Sequence, residues 1–171
     1  MNLKQTHIPY GFVSGLVMVI FSLTIYLTGY AFNPGVQYLA YIPFLIGVIM
    51  NAMAYSKAND GFVNFSNVYG SCFKVSMIVT IVIIAWSIVS TMAFPEMKEK
   101  AITMAREEMM KNRKMTDDQV DMAVGITKKY WSAFLIAGAL FGTLFYGALF
   151  SLVGALIAKK KGAQPFASEN F

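Results

Sequence analysis

The sequence predicts an all-α integral membrane bundle of four transmembrane helices, with an amphipathic helical hairpin between the third and fourth spans. Only 13% of the 171 residues are charged, whereas soluble domains carry about a quarter. Uncharged runs of about 18 residues or more are typical of membrane spans. Three such runs occur, between Lys4 and Lys57, between Lys74 and Glu96, and between Lys129 and Lys159. By contrast, half of the residues from 104 to 121 are charged.

The three uncharged runs divide into four expected spans. The first run is long enough for two, because Pro34 and Gly35 in "FNPGVQ" suit the second and third positions of a tight turn with positive φ at the glycine. The first span exceeds the usual signal-peptide core and no A-x-A-like site follows it, so we expect a transmembrane helix. The expected spans are about 8–30, 36–55, 75–94 and 131–158.

Local signals mark where several helices begin, bend or end. Pro9 falls in the first turn of span one, where a missing N–H is tolerated. Pro43 lies inside span two and should bend it. Asn64 or Ser66 is expected to cap the helix that leads into span three, and Pro95 marks the end of that span.

Residues 96–130 are expected to form a helical hairpin outside the bilayer. Thr116 begins "TDDQ", a capping box completed by Gln119, so a second arm starts there and is expected to continue into span four. Each arm carries an apolar stripe. The stripes can pack on each other, lie on lipid as a headgroup sensor, or face a partner, and a solvated connector is the plainest alternative. Residues 159–171 are expected to form a flexible tail.

Residue types that carry chemistry are scarce. His7 is the single histidine and Cys72 the single cysteine, and no ionisable residue lies near the middle of a span. Catalysis, cofactor binding, metal ligation and nucleic-acid binding are therefore not expected. Thioethers bind Cu(I), but an adaptable apolar surface explains the hairpin methionines better. Those at or near the hairpin are Met97, Met104, Met109, Met110, Met115 and Met122.

Small residues at four-residue spacing indicate close helix packing, within the chain or between chains. The helix-packing candidates are Gly11 and Gly15 in span one and Gly138 and Gly142 in span four. Thr143 is expected to face lipid.

A second series follows in span four, on nearly the opposite face from Gly138 and Gly142. It consists of Gly147, Ser151 and Ala155. Asn51, the most polar side chain inside a span, favours a hydrogen bond between helices over a pore lining.

The lysines favour an orientation with both termini in the cytoplasm. Four spans put both ends on one side, together with Lys4, Lys57, Lys74 and the run 159–161. The first turn on the other side has no positive charge, although the hairpin carries eight Lys and Arg against seven acidic residues. The positive-inside rule gives most weight to the first helix and to charges next to spans.

The order of motifs resembles an uncharacterised family of bacterial membrane proteins, domain of unknown function 4199. The similarity rests on "YGFVSGL", "DGFVNFSNVYGSCFK", "FPEMKEK", "MTDDQVDMA" and "SLVGALIAKKK". It implies a four-span protein of the bacterial inner membrane and transfers no activity or functional residue. We therefore expect a non-enzymatic protein in the lipid bilayer that forms a homo-oligomer or binds a membrane partner through glycine-rich faces and the hairpin. The alternative is a small transporter or channel subunit with a polar path near Asn51.

Overall fold

The computed structural model describes residues 3–111 and 115–161, and within these ranges the regular structure is helical throughout. The helices are α1 (His7–Leu27), α2 (Pro34–Leu39), α3 (Tyr41–Ala58), α4 (Phe65–Ala93), α5 (Pro95–Lys111), α6 (Asp117–Lys129) and α7 (Trp131–Ile157). Four segments are long and apolar enough to cross a membrane: His7–Leu27, Gly35–Ala58, Phe65–Ala93 and Trp131–Ile157. The predicted all-α, multi-pass membrane fold is therefore confirmed.

The outward faces of these four segments are apolar. Ile81 is 67% exposed and Leu156 is 72% exposed, and α1 turns Phe12, Leu16 and Ile20 outward in the same way. A water-soluble bundle would bury such side chains and expose polar ones. Lipid is the solvent that fits this surface, because hydrocarbon chains contact apolar side chains without penalty.

The predicted tight turn at Pro34 and Gly35 is wrong. Asn33 instead caps α2, and its side-chain oxygen accepts hydrogen bonds from the backbone N–H groups of Gly35 at 3.0 Å and Val36 at 3.4 Å. A proline in the first turn of a helix is favourable because its missing N–H would be unpaired there. The positive φ that the reversal needs occurs earlier, at Gly29, with a φ of 80°.

Pro43 breaks the second span into two helices, where the sequence predicted a bend. A proline ring clashes with the carbonyl of the residue four positions earlier. That residue is Leu39, and α2 ends there; α3 then begins at Tyr41. The break follows directly from the proline.

The third span begins farther upstream than the hydropathy pattern indicated, at Phe65 rather than near residue 75. Asn64 and Asn67 bond reciprocally: each side-chain oxygen accepts from the other's backbone N–H, at 2.8 and 3.3 Å. This is the geometry of a capping box. The expected cap at Asn64 is confirmed, and Lys74 consequently lies within α4.

The chain forms two compact units, and the first comprises residues 1–82 and 142–171. Its described part is a bundle in which α1 and α7 each pack on both α3 and α4. Gly47 of α3 lies against the Ser14 side chain of α1, and Gly147 of α7 lies against the Ser76 side chain of α4. A Cβ atom at either glycine would overlap that serine. Small residues therefore set the distance between these helices.

The second unit, residues 83–141, contains the hairpin. The two arms pack on each other through Ile102, Val120 and Val124, all buried. Arg106 of α5 and Asp121 of α6 form an ion pair of 2.6 Å between the arms. The predicted capping box of Thr116 and Gln119 is confirmed.

The expected continuous helix from the second arm into span four is wrong. The α6 helix ends at Lys129, and Tyr130 takes a non-helical backbone conformation (φ −107°, ψ 22°) before α7 begins. Trp131 then packs against the hairpin core. Of the expected flexible tail at 159–171, residues 162–171 lie outside the described part, whereas the Lys161 N–H donates to the Gly61 carbonyl at 2.7 Å.

Gly147→Ala is expected to lower the melting temperature of the purified protein in detergent. Its new methyl group would overlap Ser76, and overpacking typically costs about 1–3 kcal/mol. Gly138→Ala is the matched control, because it adds the same group to the same helix where the surrounding space is open. Removing a glycine from a helix interior is favourable by about 1 kcal/mol, so this variant should melt no lower than wild type. Equal melting temperatures for the two variants would contradict the close approach of α7 and α4.

Candidate functional site

Two of the four helix-packing candidates contact a neighbouring helix of the same chain. A Cβ atom built at Gly11 would lie 2.7 Å from Cβ of Ile78, and one at Gly15 would lie 2.9 Å from Cβ of Val82. Both glycines are buried. The glycine face of α1 is thus occupied by α4, and the contact is within one molecule.

The other two candidates have more room around them. A Cβ atom at Gly142 would be 3.7 Å from the Tyr41 hydroxyl, an ordinary contact, and one at Gly138 would meet nothing within 4 Å. The expectation that Thr143 faces lipid is wrong, since it is 4% exposed. Thr143 lies one helical turn before Gly147 and therefore shares the buried face of α7.

Asn51 is fully buried at the centre of a polar cluster. Its amide donates to the Ser71 hydroxyl at 3.1 Å and, more weakly, to the Cys72 sulfur at 3.7 Å. Its side-chain oxygen accepts from the Thr6 hydroxyl at 2.7 Å, and the Cys72 thiol donates to the Val48 carbonyl at 3.6 Å. The predicted hydrogen bond between helices is confirmed, and the cluster joins α3 and α4 to the segment before α1.

Hydroxyl groups of α4 that could line the polar path of the transporter alternative are bonded within their own helix. Ser76 donates to the Cys72 carbonyl at 3.3 Å, Thr80 to the Ser76 carbonyl at 2.8 Å and Ser87 to the Ile83 carbonyl at 2.8 Å. Such bonds satisfy a hydroxyl in an apolar surrounding without any partner from another helix. These side chains therefore need no water to satisfy them.

A second polar region, at the end of the first unit where residues 4 and 159–161 contact the connection between α3 and α4, was not predicted. The Asn59 side chain accepts from the Lys4 backbone N–H at 2.8 Å and donates to the carbonyls of Tyr55 at 2.8 Å and Lys4 at 3.2 Å. The Ser56 hydroxyl donates to the Lys159 carbonyl. Asn59 lies between the predicted spans 36–55 and 75–94, and the chain segments it joins lie too far apart in sequence to be paired by spacing.

Beside this region lies a cleft of about 370 Å³, here called the terminal cleft. It opens between the segment before α1, the end of α3 and the start of α4. Most of its lining is polar, and no acidic residue is among the described side chains that line it. The lining includes Gln5, His7, Tyr55, Ser66, Ser71 and Lys74. Ser71 also bonds Asn51, so the cleft adjoins the buried cluster.

Asn51→Leu is expected to lower the melting temperature in detergent. The leucine has the same number and branching of side-chain heavy atoms, but it leaves the buried Ser71 hydroxyl and the partly buried Thr6 hydroxyl without their partner. A buried polar group left unpaired costs about 1–3 kcal/mol. Ser71→Ala removes one of these bonds and leaves the bond to Thr6, so its loss should be smaller. A melting temperature for Asn51→Leu equal to that of wild type would show that the cluster contributes nothing to stability.

The comparisons with known proteins agree with the sequence motifs. A family described as "Protein of unknown function (DUF4199)" matches residues 9–160, which include the hairpin and nearly all of the four spans. No curated protein and no solved structure matches the chain. The match extends from the first turn of α1 to beyond the end of α7, and the chain belongs to the DUF4199 family.

Proposed function

We propose that this protein is a non-enzymatic membrane protein that assembles with a second copy of itself through the hairpin. The observation that carries the proposal is the outer face of α6. The inner face packs on α5 through Val120 and Val124, yet Met122 is 70% exposed and Ile126 is 47% exposed. Large apolar side chains exposed on the charged part of a protein are typical of contact surfaces, and methionine adapts easily to a partner.

The charges around this face are self-complementary. Asp118, Met122, Gly125 and Lys129 follow one another at steps of four, three and four residues, which places them on one side of α6. If two copies of α6 pair antiparallel about a two-fold axis, Asp118 of each copy lies opposite Lys129 of the other. Met122 then lies opposite Gly125, around which the space is open. A two-fold interface requires such self-matching.

The glycine faces support self-assembly less well than the hairpin does. Gly11 and Gly15 of α1 and Gly147 of α7 already contact α4 in the same chain. Gly138 has open space around it, but a single small residue is not enough to form an interface. The hairpin is therefore the better-supported surface for self-assembly. A failure of self-association in the experiment below would point to a different membrane protein as the partner.

The buried thiol favours a non-enzymatic role. Cys72 is fully buried, and its sulfur takes part in hydrogen bonds with Asn51 and Val48. A nucleophilic cysteine needs access to its substrate, whereas Cys72 has no exposed surface.

A transporter or channel subunit is the second candidate. Its support is the terminal cleft, which reaches Ser71 and so the partner of Asn51. Conduction would require a water-accessible path onward past Asn51. Asn51, Ser76 and Thr80 are all buried and are bonded to protein groups, which weighs against such a path.

For the orientation, the proposal places both termini in the cytoplasm, in a bacterial inner membrane. Backbone contacts support a shared side: Lys4 bonds Asn59, and Lys161 bonds Gly61. This end therefore gathers most of the lysines outside the hairpin, as the positive-inside rule describes for cytoplasmic ends.

The proposed self-assembly predicts how charge changes on α6 affect dimerisation in liposomes. Asp118→Lys is expected to raise the dissociation constant of the full-length protein about tenfold, because two exposed pairs of about 0.2–1 kcal/mol each become repulsive. The measurement is energy transfer between labelled chains as the protein-to-lipid ratio falls. Combining Asp118→Lys with Lys129→Asp should restore the wild-type constant.

Asp117→Lys is the control for this series. It makes the same charge change at the same helix end, where acidic residues favour the helix start, but it lies about 100° around α6 from Asp118. The double variant should recover the wild-type dissociation constant, and Asp117→Lys should dimerise with the wild-type constant. Pairing through α6 would be refuted if the wild-type protein gave no energy transfer, or if the charge exchange did not restore it. Crosslinking in membranes would then identify another membrane partner.

The second prediction concerns topology. Reporter fusions placed after Gly35, near residue 112 and after Phe171 should give a cytoplasmic signal only for the last. A cytoplasmic signal near residue 112 would reverse the orientation and place the hairpin in the cytosol.

A further inference from the structure

The terminal cleft has the charge of an anion-binding site. Lys74 lines it and takes no part in the ion pairs Arg106–Asp121 and Lys111–Glu108. His7 lies beside Lys74 in the same lining. A lysine carried more than two turns into a membrane helix must extend to water or meet an anion. The cleft supplies the space for an anion next to its ammonium group.

Tyr55 contributes an unused hydrogen-bond donor to the same cleft. The residue is only 6% exposed, and it lines the cleft. Its backbone carbonyl accepts from Asn59, but within residues 3–111 and 115–161 its hydroxyl has no hydrogen-bond partner. The hydroxyl is not enclosed by protein, because it is absent from the buried polar atoms that lack a partner in the described part of the chain. It therefore opens into the cleft, where a ligand can accept from it.

The start of α4 adds polar groups and a favourable field. Ser66 and Asn67, in the first turn, line the cleft, and Gly70 follows one turn later with open space around it. The N-terminal end of a helix carries a partial positive charge and favours anions. A side chain larger than hydrogen at position 70 would narrow the cleft between this turn and Lys74.

Aromatic side chains beside the cleft fit a position at the depth of lipid headgroups. Phe65, Tyr69 and Phe73 stack along the adjoining face of α4, with ring centroids 6.2 and 6.1 Å apart. Aromatic belts of this kind mark the membrane–water interface. The Lys160 ammonium lies 5.9 Å from the Phe65 ring centroid, as expected beside an aqueous phase. Phosphate groups of lipids are therefore the anions nearest to the cleft.

From these observations we infer that the terminal cleft binds a phosphate-bearing polar group, held by the Lys74 ammonium, the Tyr55 hydroxyl and the first turn of α4. Phosphate oxygens accept several hydrogen bonds at once, which matches a site that offers donors from three directions. The cleft volume of about 370 Å³ falls in the range of small-ligand sites. The group can belong to an anionic lipid or to a soluble phosphate ester. The inference is independent of pairing through the hairpin.

The test uses the full-length protein in an uncharged detergent. Phosphatidylglycerol is added and counted per chain by native mass spectrometry, with dioleoylglycerol, which has no phosphate, as the control lipid. We expect one tightly held phosphatidylglycerol and no retained dioleoylglycerol. Calorimetric titration with glycerol 3-phosphate forms the second arm, and tighter binding of this compound than of the lipid would assign the site to a soluble ester.

Variants separate the cleft from the general positive charge of this end. Lys74→Gln should weaken the preferred probe about tenfold or more, the usual result of losing a charged hydrogen-bond partner. Tyr55→Phe, which keeps the ring, should weaken it several-fold, and Lys74→Arg should bind it nearly as wild type. Lys57→Gln removes an exposed lysine that does not line the cleft and should leave affinity unchanged. Equal losses in Lys57→Gln and Lys74→Gln, unchanged affinity in both, or no binding of either probe by wild type would each overturn the inference.

Discussion

The bundle depends on the close approach of helix backbones. In water, buried apolar side chains would hold four helices together, but lipid solvates those side chains equally well, so the helices gain mainly from dense packing and from hydrogen bonds. This protein obtains dense packing by placing a glycine against a serine at two crossings, Gly47 on Ser14 and Gly147 on Ser76. Many large apolar side chains of the same helices face outward, while Phe44, Val48 and Val79 fill the interior. Hydrophobicity therefore does not distinguish the inside of the bundle from its outside, and small residues set how closely the helices approach.

Polar groups in the first unit follow two different rules. Deep in α4, hydroxyl groups such as those of Ser76 and Thr80 donate to carbonyls of their own helix and need no hydrogen-bond partner from another helix. Toward the end that carries residues 4 and 159–161, Asn51 and Asn59 instead bond across chain segments. Asparagine offers two donors and one acceptor group, so it can join several segments at once. The long-range hydrogen bonds are consequently concentrated at the end that also carries the lysines and the terminal cleft.

The sequence predicted those features that depend on the chain's own local chemistry. Uncharged runs predicted four spans, Pro43 predicted a bend at the place where the second span divides into two helices, and Thr116 with Gln119 predicted the start of α6, since each signal lies within one segment. A local signal was also misread, since Gly35 was assigned a positive φ because Asn33, two residues earlier, was not recognised as a helix cap. Features that depend on a distant partner, such as the bonds between Asn59 and Lys4, were not predicted.

The site shows the same division. The hydrogen bond of Asn51 to another helix was predicted because a buried amide inside a span needs a partner. Its particular partners, and the meeting of residues near 4, 55 and 70 at the terminal cleft, depend on how the helices are arranged in three dimensions. Spacing within one helix predicts which residues share a face, and it was misapplied to Thr143, which lies one turn from Gly147. It does not predict which helix that face will meet.

The position of Cys72 gives the protein a built-in probe of its own fluctuations. Its sulfur lies among α3, α4 and α7, 3.3 Å from where a Cβ atom of Gly154 would be, and it has no exposed surface. A thiol in this position can be alkylated only in the fraction of molecules in which those helices have separated. Since it is the single cysteine of the chain, its rate of labelling with a fast reagent reports the rate at which the bundle opens. The rate at which the helices of the wild-type protein separate can thus be measured from the alkylation of one sulfur atom.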